Sequence, residues 1–235
     1  MHAMILAAGR GERMRPLTDH CPKPLLKAGG KPLLQWHLEA LRGAGITQVV
    51  INHAHLGHQI ESAFGDGHAL GLEIHYSAES NALETAGGIA KALPWLGKNP
   101  FLVINGDVSC DWPIANALAA AARWQPNQLA HVVLVPNPAH HPQGDFALQG
   151  GLVKEQEASS EPCYTFSGIG VYAPALFTSV PSGGVAKLAP LLRGAMAQGK
   201  VTGELYSGFW MDVGTPQRLQ ELDDRLTQQQ QAGQQ

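Results

Sequence analysis

Short apolar runs recur along the first half of the chain, separated by segments with helical spacing. These runs are Ala3–Ala7, Gln48–Asn52, Phe101–Asn105 and His131–Pro136. Continuous apolar runs of this length are typical of strands that are buried on both faces of a parallel sheet. The pattern therefore predicts an α/β protein with a Rossmann-like, mixed but mainly parallel central sheet that is flanked by helices.

The segments between the runs carry helix signals. Pro32–Ala44 has leucines at three- and four-residue spacing and is followed by Gly45, which favours an amphipathic helix that ends there. Leu56–Phe64 and the alanine-rich Ala115–Trp124 predict two further helices, and Leu72–Tyr76 predicts another strand. The order of strand, helix and strand indicates βαβ units.

The pattern changes after about Pro136, where glycine and proline interrupt irregular segments. Such a stretch is typical of a mixed-sheet excursion that forms a substrate pocket. The 235 residues predict one domain over residues 1–226. Thr227–Gln235 is rich in glutamine without an apolar face, so we expect it to be disordered and dispensable for chemistry.

Composition and charge exclude several classes of protein. A formal net charge of −3 and a pI near 6.4 argue against bulk binding to nucleic acid or to an anionic membrane. Three dispersed cysteines predict neither a disulfide framework nor a zinc site. The first apolar run is too short for a signal peptide or a membrane span, and we expect a cytoplasmic protein.

The first strand leads directly into the small and basic segment Ala7–Arg13, which includes Gly9, Gly11 and Glu12. Small residues let backbone N–H groups approach phosphate oxygens. Downstream, Arg13 and Lys23 supply positive charge for a triphosphate and for a departing pyrophosphate. A tight turn explains two glycines alone equally well, but it does not explain the accompanying cations.

Two common nucleotide-binding motifs are absent from this segment. The dinucleotide fingerprint GxGxxG needs a glycine where Met14 stands, and the P-loop pattern GxxxxGK[ST] has no match. A dehydrogenase is therefore disfavoured. The cluster of His53, His55 and His58 has no cysteine partners and no HExxH spacing, so it does not predict a zinc site either.

Two aspartates are candidate metal ligands. Asp107 follows the apolar run Phe101–Ile104 and so stands at the carboxyl end of a predicted central strand, where α/β proteins bind ligands. Asp212 precedes a glycine turn and can meet Asp107 only through the fold. Magnesium takes one or two carboxylates together with phosphate oxygens. A role in a turn or at a helix N-terminus remains an alternative for Asp107.

The combination of these motifs resembles one family. Leu6–Thr18 followed by Pro22-Lys23-Pro24 is similar to the signature of the sugar-1-phosphate nucleotidylyltransferases. Further matches occur in the order that the family places them: Glu84–Gly88, Asn105–Asp107, Phe166–Gly168 and Asp212–Thr215. The resemblance therefore covers nearly the whole chain, and it implies an active enzyme of this family.

The resemblance also implies roles for individual residues. The catalytic group is Arg13, Lys23 and Asp107, and magnesium binds to Asp107 and Asp212. The nucleotide-binding group is Ala7, Gly9, Gly11, Glu12, Arg13, Lys23, Thr85 and Gly87, and the sugar-phosphate group is Asn105, Asp145, Gly168 and Lys187. Where many relatives carry Glu-Lys-Pro, this chain reads Lys154-Glu155-Gln156-Glu157. It stays open whether Glu155, Glu157 or Glu161 contacts the sugar.

Within the family, Ile51–Ala54 and Asn137-Pro138…Gly144-Asp145-Phe146 resemble the short members that join UTP to N-acetylmuramic acid 1-phosphate in peptidoglycan recycling. The expected partners are thus a nucleoside triphosphate and a sugar 1-phosphate, bound to a monomer or small homo-oligomer. Alternatives are a mannose 1-phosphate guanylyltransferase, a glucose 1-phosphate uridylyl- or thymidylyltransferase, or a non-catalytic subunit that binds nucleotide sugars.

Overall fold

A computed structural model describes residues 1–155 and 162–232 of the chain. The strands are β1 (Ala3–Leu6), β2 (Lys27–Ala28), β3 (Lys31–Pro32), β4 (Gln48–His53), β5 (Glu73–Ala78), β6 (Phe101–Asn105), β7 (Val108–Cys110), β8 (Ala130–Val135), β9 (Phe146–Gln149), β10 (Leu152–Lys154), β11 (Cys163–Tyr172), β12 (Val201–Leu205) and β13 (Trp210–Asp212). The helices are α1 (Leu33–Gly43), α2 (Gly57–Phe64), α3 (Glu84–Leu96), α4 (Ala115–Ala122), α5 (Leu188–Met196) and α6 (Pro216–Ala232).

Nine of these strands form one mixed sheet in the order β5-β4-β1-β6-β11-β8-β12-β10-β9. The strands β5, β4, β1 and β6 are parallel to one another, with Ala3 paired to Val49 on one side and to Leu102 on the other. Strand β11 then runs antiparallel to β6 and β8. The α/β fold with a mixed central sheet is confirmed.

Helices cover both faces of the sheet, which explains the continuous apolar runs. On β1, Met4 packs into a cluster with α3 and α5, whereas Ala3 and Ile5 pack into a second cluster with α1, α2 and α4. All three side chains are fully buried. In the ranges that the structure covers, no helix is both long enough and apolar enough to cross a membrane.

The C-terminal helix is longer than its composition predicts. Because α6 continues to Ala232, the expectation of a disordered tail is wrong for residues 227–232. Glutamine has good helix propensity and extends a helix that is already formed. Asp223 accepts the N–H of Gly29 at 2.7 Å, and Gln230 donates to the Gly29 carbonyl at 3.0 Å. Residues 233–235 lie outside the described ranges.

Candidate active site

A cavity of about 610 Å³ opens at the carboxyl ends of β1 and β6. The predicted site residues that line it are Ala7, Gly9, Gly11, Glu12, Arg13, Lys23, Thr85, Asn105 and Asp107. They come from segments that are far apart in the sequence, and the parallel sheet brings them to one edge. This is the position at which open α/β sheets bind their ligands.

The phosphate loop has a fixed shape because Gly11 is held in the left-handed region. Its φ is +66°, and a Cβ atom there would lie 2.9 Å from Thr18 Cγ2. The Thr18 hydroxyl donates to the Gly11 carbonyl at 2.8 Å and so holds this turn. Gly9 has open space at its Cα. An anion can therefore approach the backbone of the loop closely at this point.

A buried polar network ties the loop to the opposite wall of the cavity. The amide of Ala7 donates to Asn52 Oδ1 at 2.9 Å, and Asn52 Nδ2 donates to Glu79 Oε1 at 2.7 Å. Glu79 Oε2 in turn accepts the N–H of Leu83 at 3.2 Å. Asn52 and Glu79 are 3% and 7% exposed and both line the cavity. Neither had been assigned a role from sequence, although a polar residue that ends an apolar strand is a usable signal.

Glu84 and Thr85 begin α3 at the rim of the cavity. Glu84 has φ +60°, a conformation that costs about 1 kcal/mol or more outside glycine. Gly87, in contrast, is not part of the lining. A Cβ atom on Gly87 would lie 2.2 Å from the carbonyl oxygen of Gly184, and its N–H donates to Ala186 at 3.1 Å. The structure thus places Gly87 in the packing of α3 against residues 184–186.

Lys23 and Asp107 form an ion pair in the cavity. Lys23 Nζ lies 2.7 Å from Asp107 Oδ2, and the lysine side chain is 10% exposed. Behind Asp107, burial lowers the pKa of His37 to about 4, opposed by the charge of Asp107 and by a hydrogen bond to the Val108 backbone. His37 is therefore neutral near pH 7 and leaves Lys23 as the cation next to Asp107.

The second aspartate reaches the site through a two-stranded ribbon. Strand β13 pairs with β7, with Asp212 opposite Val108, and the N–H of Val213 donates to the Asp107 carbonyl at 2.7 Å. Trp210 Nε1 donates to the Ser167 carbonyl at 2.8 Å and anchors the ribbon on β11. The ribbon thereby brings Asp212 next to the backbone of Asp107.

Basic side chains surround Asp212. Arg218 donates to its Oδ1 atom through NH1, and His140 Nε2 lies 3.0 Å from the same oxygen. A Cβ atom on Gly214 would lie 2.8 Å from the NH2 atom of Arg218 and 3.0 Å from that of Arg13. Glycine at this position therefore lets two guanidinium groups approach each other. Neither Arg218 nor His140 had been singled out from sequence.

The predicted sugar residues lie along β6 and β11. Gly168 has φ +81° within the bulge of β11, and its Cα faces the Asn105 side chain, which a Cβ atom would meet at 2.7 Å. Asp145 accepts the N–H of Phe166 at 2.8 Å and lies 3.1 Å from His141 Nε2. Lys187 is an exposed residue directly before α5, next to the backbone that contacts α3. Asp145, Gly168, Lys187 and Asp212 stand outside the cavity lining.

Of the three acidic candidates for sugar contact, only Glu155 is in the described part of the chain. Its carboxylate pairs with Arg193 at 2.9 Å, and both side chains are more than half exposed. Glu157 and Glu161 lie outside the described residues. Within residues 1–155 and 162–232, no three His, Cys, Asp or Glu side chains converge as a metal site of protein ligands alone would require.

A model of the Nucleotidyl transferase family matches residues 2–229. The chain belongs to this family. The family assignment confirms the resemblance seen in the sequence motifs and shows that the protein is an enzyme of this class.

Two relatives match along nearly their whole length. The chain is 55% identical to the N-acetylmuramate alpha-1-phosphate uridylyltransferase of Neisseria meningitidis serogroup B, over 94% of this chain and 96% of the relative. It is 34% identical to the protein of the same name from Caulobacter vibrioides, over 96% and 97%. Among solved structures, a Bacillus anthracis protein assigned as glucose-1-phosphate thymidylyltransferase, crystallised with sucrose, has a TM-score of 0.84 at 24% identity over 97% and 96%. This last likeness shows the shared fold.

Proposed function

We propose that the enzyme transfers a uridylyl group from UTP to N-acetylmuramic acid 1-phosphate and releases pyrophosphate, which would return a cell-wall sugar to its activated form. The observation that supports this substrate pair is the 55% identity over nearly the whole chain to a relative that carries this activity in its name. The cavity supports the class of reaction, because it joins a glycine loop, Lys23 and Asp107 in one place.

The triphosphate would lie in the cavity with its phosphates on the loop between Ala7 and Arg13. Loop amides and Arg13 supply donors for phosphate oxygens. The base would bind next to Thr85 and the network of Asn52 and Glu79, which line the same cavity. The sugar phosphate would approach from the side of Asn105, Asp145, Gly168 and Lys187.

We further propose that Asp107 and Asp212 would hold Mg²⁺. Both donors are carboxylate oxygens, the ligands that Mg²⁺ prefers, and two such residues leave coordination positions for phosphate oxygens. Asp107 pairs with Lys23 and Asp212 pairs with Arg218, which is consistent with a negative charge on both carboxylates. When bound, the ion supplies charge neutralisation that lets two anionic substrates meet.

The chain supplies positioning and electrostatic stabilisation for the transfer. An oxygen of the sugar phosphate forms a bond with the α-phosphorus, and the bond from that phosphorus to the oxygen of the leaving pyrophosphate breaks in line. Lys23 stabilises charge at the α-phosphate and Arg13 stabilises the leaving pyrophosphate. The second pKa of a phosphate monoester is about 6, so the nucleophile needs no general base near neutral pH.

The decisive experiment measures pyrophosphate release with Mg²⁺ over a matrix of four nucleoside triphosphates and several sugar 1-phosphates. The proposal expects the highest kcat/KM for UTP with N-acetylmuramic acid 1-phosphate. Preference for GTP with mannose 1-phosphate, or for UTP or dTTP with glucose 1-phosphate, would replace the substrate pair but leave the reaction class intact. Complete absence of turnover with intact nucleotide binding would indicate a regulatory subunit.

A further inference from the structure

We propose that Arg218, assisted by His140, binds the carboxylate of the lactyl ether that distinguishes N-acetylmuramic acid 1-phosphate from neutral sugar phosphates. This inference rests on the proposed function, since it assigns a residue to one group of that substrate. It would make Arg218 a specificity-determining residue of the sugar site.

Arg218 has unused donors in a well-defined place. It lies in the first turn of α6, and its side chain is 16% exposed. NH1 makes its contacts with Asp212 and with His140. With the residues that the structure describes, Nε and NH2 make no hydrogen bond. A guanidinium group has five N–H donors in a planar fork that fits a carboxylate, so an anion can bind while Asp212 keeps Arg218 in position.

His140 stands beside Arg218 at the same carboxylate oxygen. Its Nε2 atom lies 3.0 Å from Asp212 Oδ1 and 3.0 Å from Arg218 NH1, and its side chain is about half exposed. An anion that binds to the unused donors of Arg218 can therefore also reach the imidazole ring.

The pair lies beside the strand that carries predicted sugar residues. His140 belongs to the loop of residues 136–145, which is anchored on β11 by two contacts: Asn137 donates to the Cys163 carbonyl at 2.9 Å, and Asp145 accepts from Phe166. The same strand presents Gly168 to Asn105. Arg218 is not part of the lining of the cavity that holds the phosphate loop, but its NH2 atom approaches Gly214 and Arg13, which both line it. The pair therefore stands between the triphosphate side and the sugar side, and the test below separates the two.

Charge favours a carboxylate over a second role in pyrophosphate binding. The lactyl group adds one negative charge to a sugar phosphate that is already a dianion, so its enzyme needs a cation that enzymes for neutral sugars do not need. His141 already pairs with Asp145 at 3.1 Å, and Lys187 is an exposed point charge outside the ribbon. Arg218 is the better-positioned cation because Asp212 and α6 hold it in place.

The test combines variants of the enzyme with matched substrates. Arg218→Gln and Arg218→Lys are assayed with UTP and three acceptors: N-acetylmuramic acid 1-phosphate, its lactyl carboxamide, and N-acetylglucosamine 1-phosphate. Arg218→Gln is expected to lower kcat/KM for the natural acid roughly 10- to 100-fold more than for the other two acceptors, the usual cost of a lost charge-assisted contact, because any effect through Asp212 is common to all three. Arg218→Lys should restore part of the loss. Arg123→Gln, at an exposed position after α4, is the matched control.

Other outcomes would overturn the inference. If Arg218→Gln lowers kcat/KM equally for all three acceptors, the inference fails. A raised KM for UTP would then assign Arg218 to the nucleotide, and an unchanged KM would assign it to the positioning of Asp212. If the wild type prefers N-acetylmuramic acid 1-phosphate over the other two acceptors and Arg218→Gln keeps the same preference, the inference fails while the proposed function stands. A wild type without that preference disproves the proposed function. Should Arg218→Gln not fold, two other measurements decide. The wild type must show a lower kcat/KM with the lactyl carboxamide than with the acid, and the His140→Asn variant must lose kcat/KM with the acid but not with the other two acceptors.

Discussion

Lys23 Nζ lies 2.7 Å from Asp107 Oδ2, although the two residues are 84 positions apart in the chain. The lysine is buried and the aspartate is about one-third exposed, so the pair presents its charged edge to the cavity. A buried cation without an anionic partner would be costly. The pair therefore holds the lysine in position until phosphate oxygens share it.

Replacing Lys23 by alanine should lower kcat roughly 100- to 1,000-fold, because a positioned donor is removed from the α-phosphate. Stopped assays of pyrophosphate release at saturating substrates measure the effect. Lys27→Ala, four positions away at an exposed site, is the matched control and should retain wild-type activity. Equal activity of the two variants would remove Lys23 from the catalytic group.

Asp107→Ala should abolish turnover, and Asp212→Asn should shift the Mg²⁺ concentration for half-maximal rate upward by at least about tenfold. The reason is that, at the proposed site, the ion would lose one of its two protein carboxylates. Titration of activity with Mg²⁺, together with thermal melts in the presence and absence of Mg²⁺ and UTP, measures both changes. Wild-type rates from Asp107→Ala at saturating Mg²⁺ contradict the assignment of the metal site.

Gly11→Ala should raise the KM for the triphosphate, because it combines an unfavourable positive φ with a contact of 2.9 Å to Thr18 Cγ2 inside the phosphate loop. Gly150 is a matched control: its φ is +58°, yet no atom lies within 4 Å of a Cβ added there. Steady-state kinetics with varied triphosphate concentration give the KM of the two alanine variants. The idea fails if both alanine variants leave the KM unchanged.

Asn52→Ala should destabilise the fold by about 2 kcal/mol and also lower the affinity for nucleotide. The substitution leaves the Ala7 amide and the Glu79 carboxylate without the partner that now satisfies both. Urea unfolding and nucleotide titration measure the two effects, and Asn116→Ala on the exposed side of α4 is the control. A loss of stability with unchanged nucleotide affinity would limit Asn52 to a structural role.

Stability should decrease as the pH falls below about 6.5, partly because of His131. Burial is the main cause of its lowered pKa, and the charge of Arg123 lowers it further, against the opposing charge of Glu204. A lowered pKa in the folded state means that the unfolded chain binds the proton more readily, so acid favours unfolding. Urea midpoints at pH 7 and pH 5 measure this, and His131→Asn should flatten the difference. An unchanged slope in the variant argues against His131.

The half of the fold around β1 could be predicted because its strands are buried on both faces. Met4 and Ile5 point into different clusters, so neither position carries a polar residue that would interrupt the apolar run. Asp107 was predictable for the same reason, since it follows directly from the end of β6. The hairpin of β9 and β10 was read as irregular, although Gly150-Gly151, both at positive φ, is a recognised hairpin signal.

The rest of the site depends on contacts that local sequence does not record. Asp212 was tied to Asp107 only through the family resemblance, because their pairing requires the ribbon of β7 and β13. Arg218 meets His140 from 78 positions away, and nothing in either local segment marks it. Glu79 is similar: a lone glutamate near a strand end reads as exposed, whereas the fold buries it against Asn52.

The place where the sheet reverses direction has a consequence for how such enzymes can diversify. The residues that we assign to the triphosphate lie mainly in the segment after β1, whereas Asp145 and Gly168, which we assign to the sugar, lie on β11 and in the loop before β9. Asn105, at the end of β6, faces Gly168 across this boundary. Substitutions on the β11 side of this boundary can therefore change the sugar phosphate that is accepted, while the residues assigned to the nucleotide stay the same.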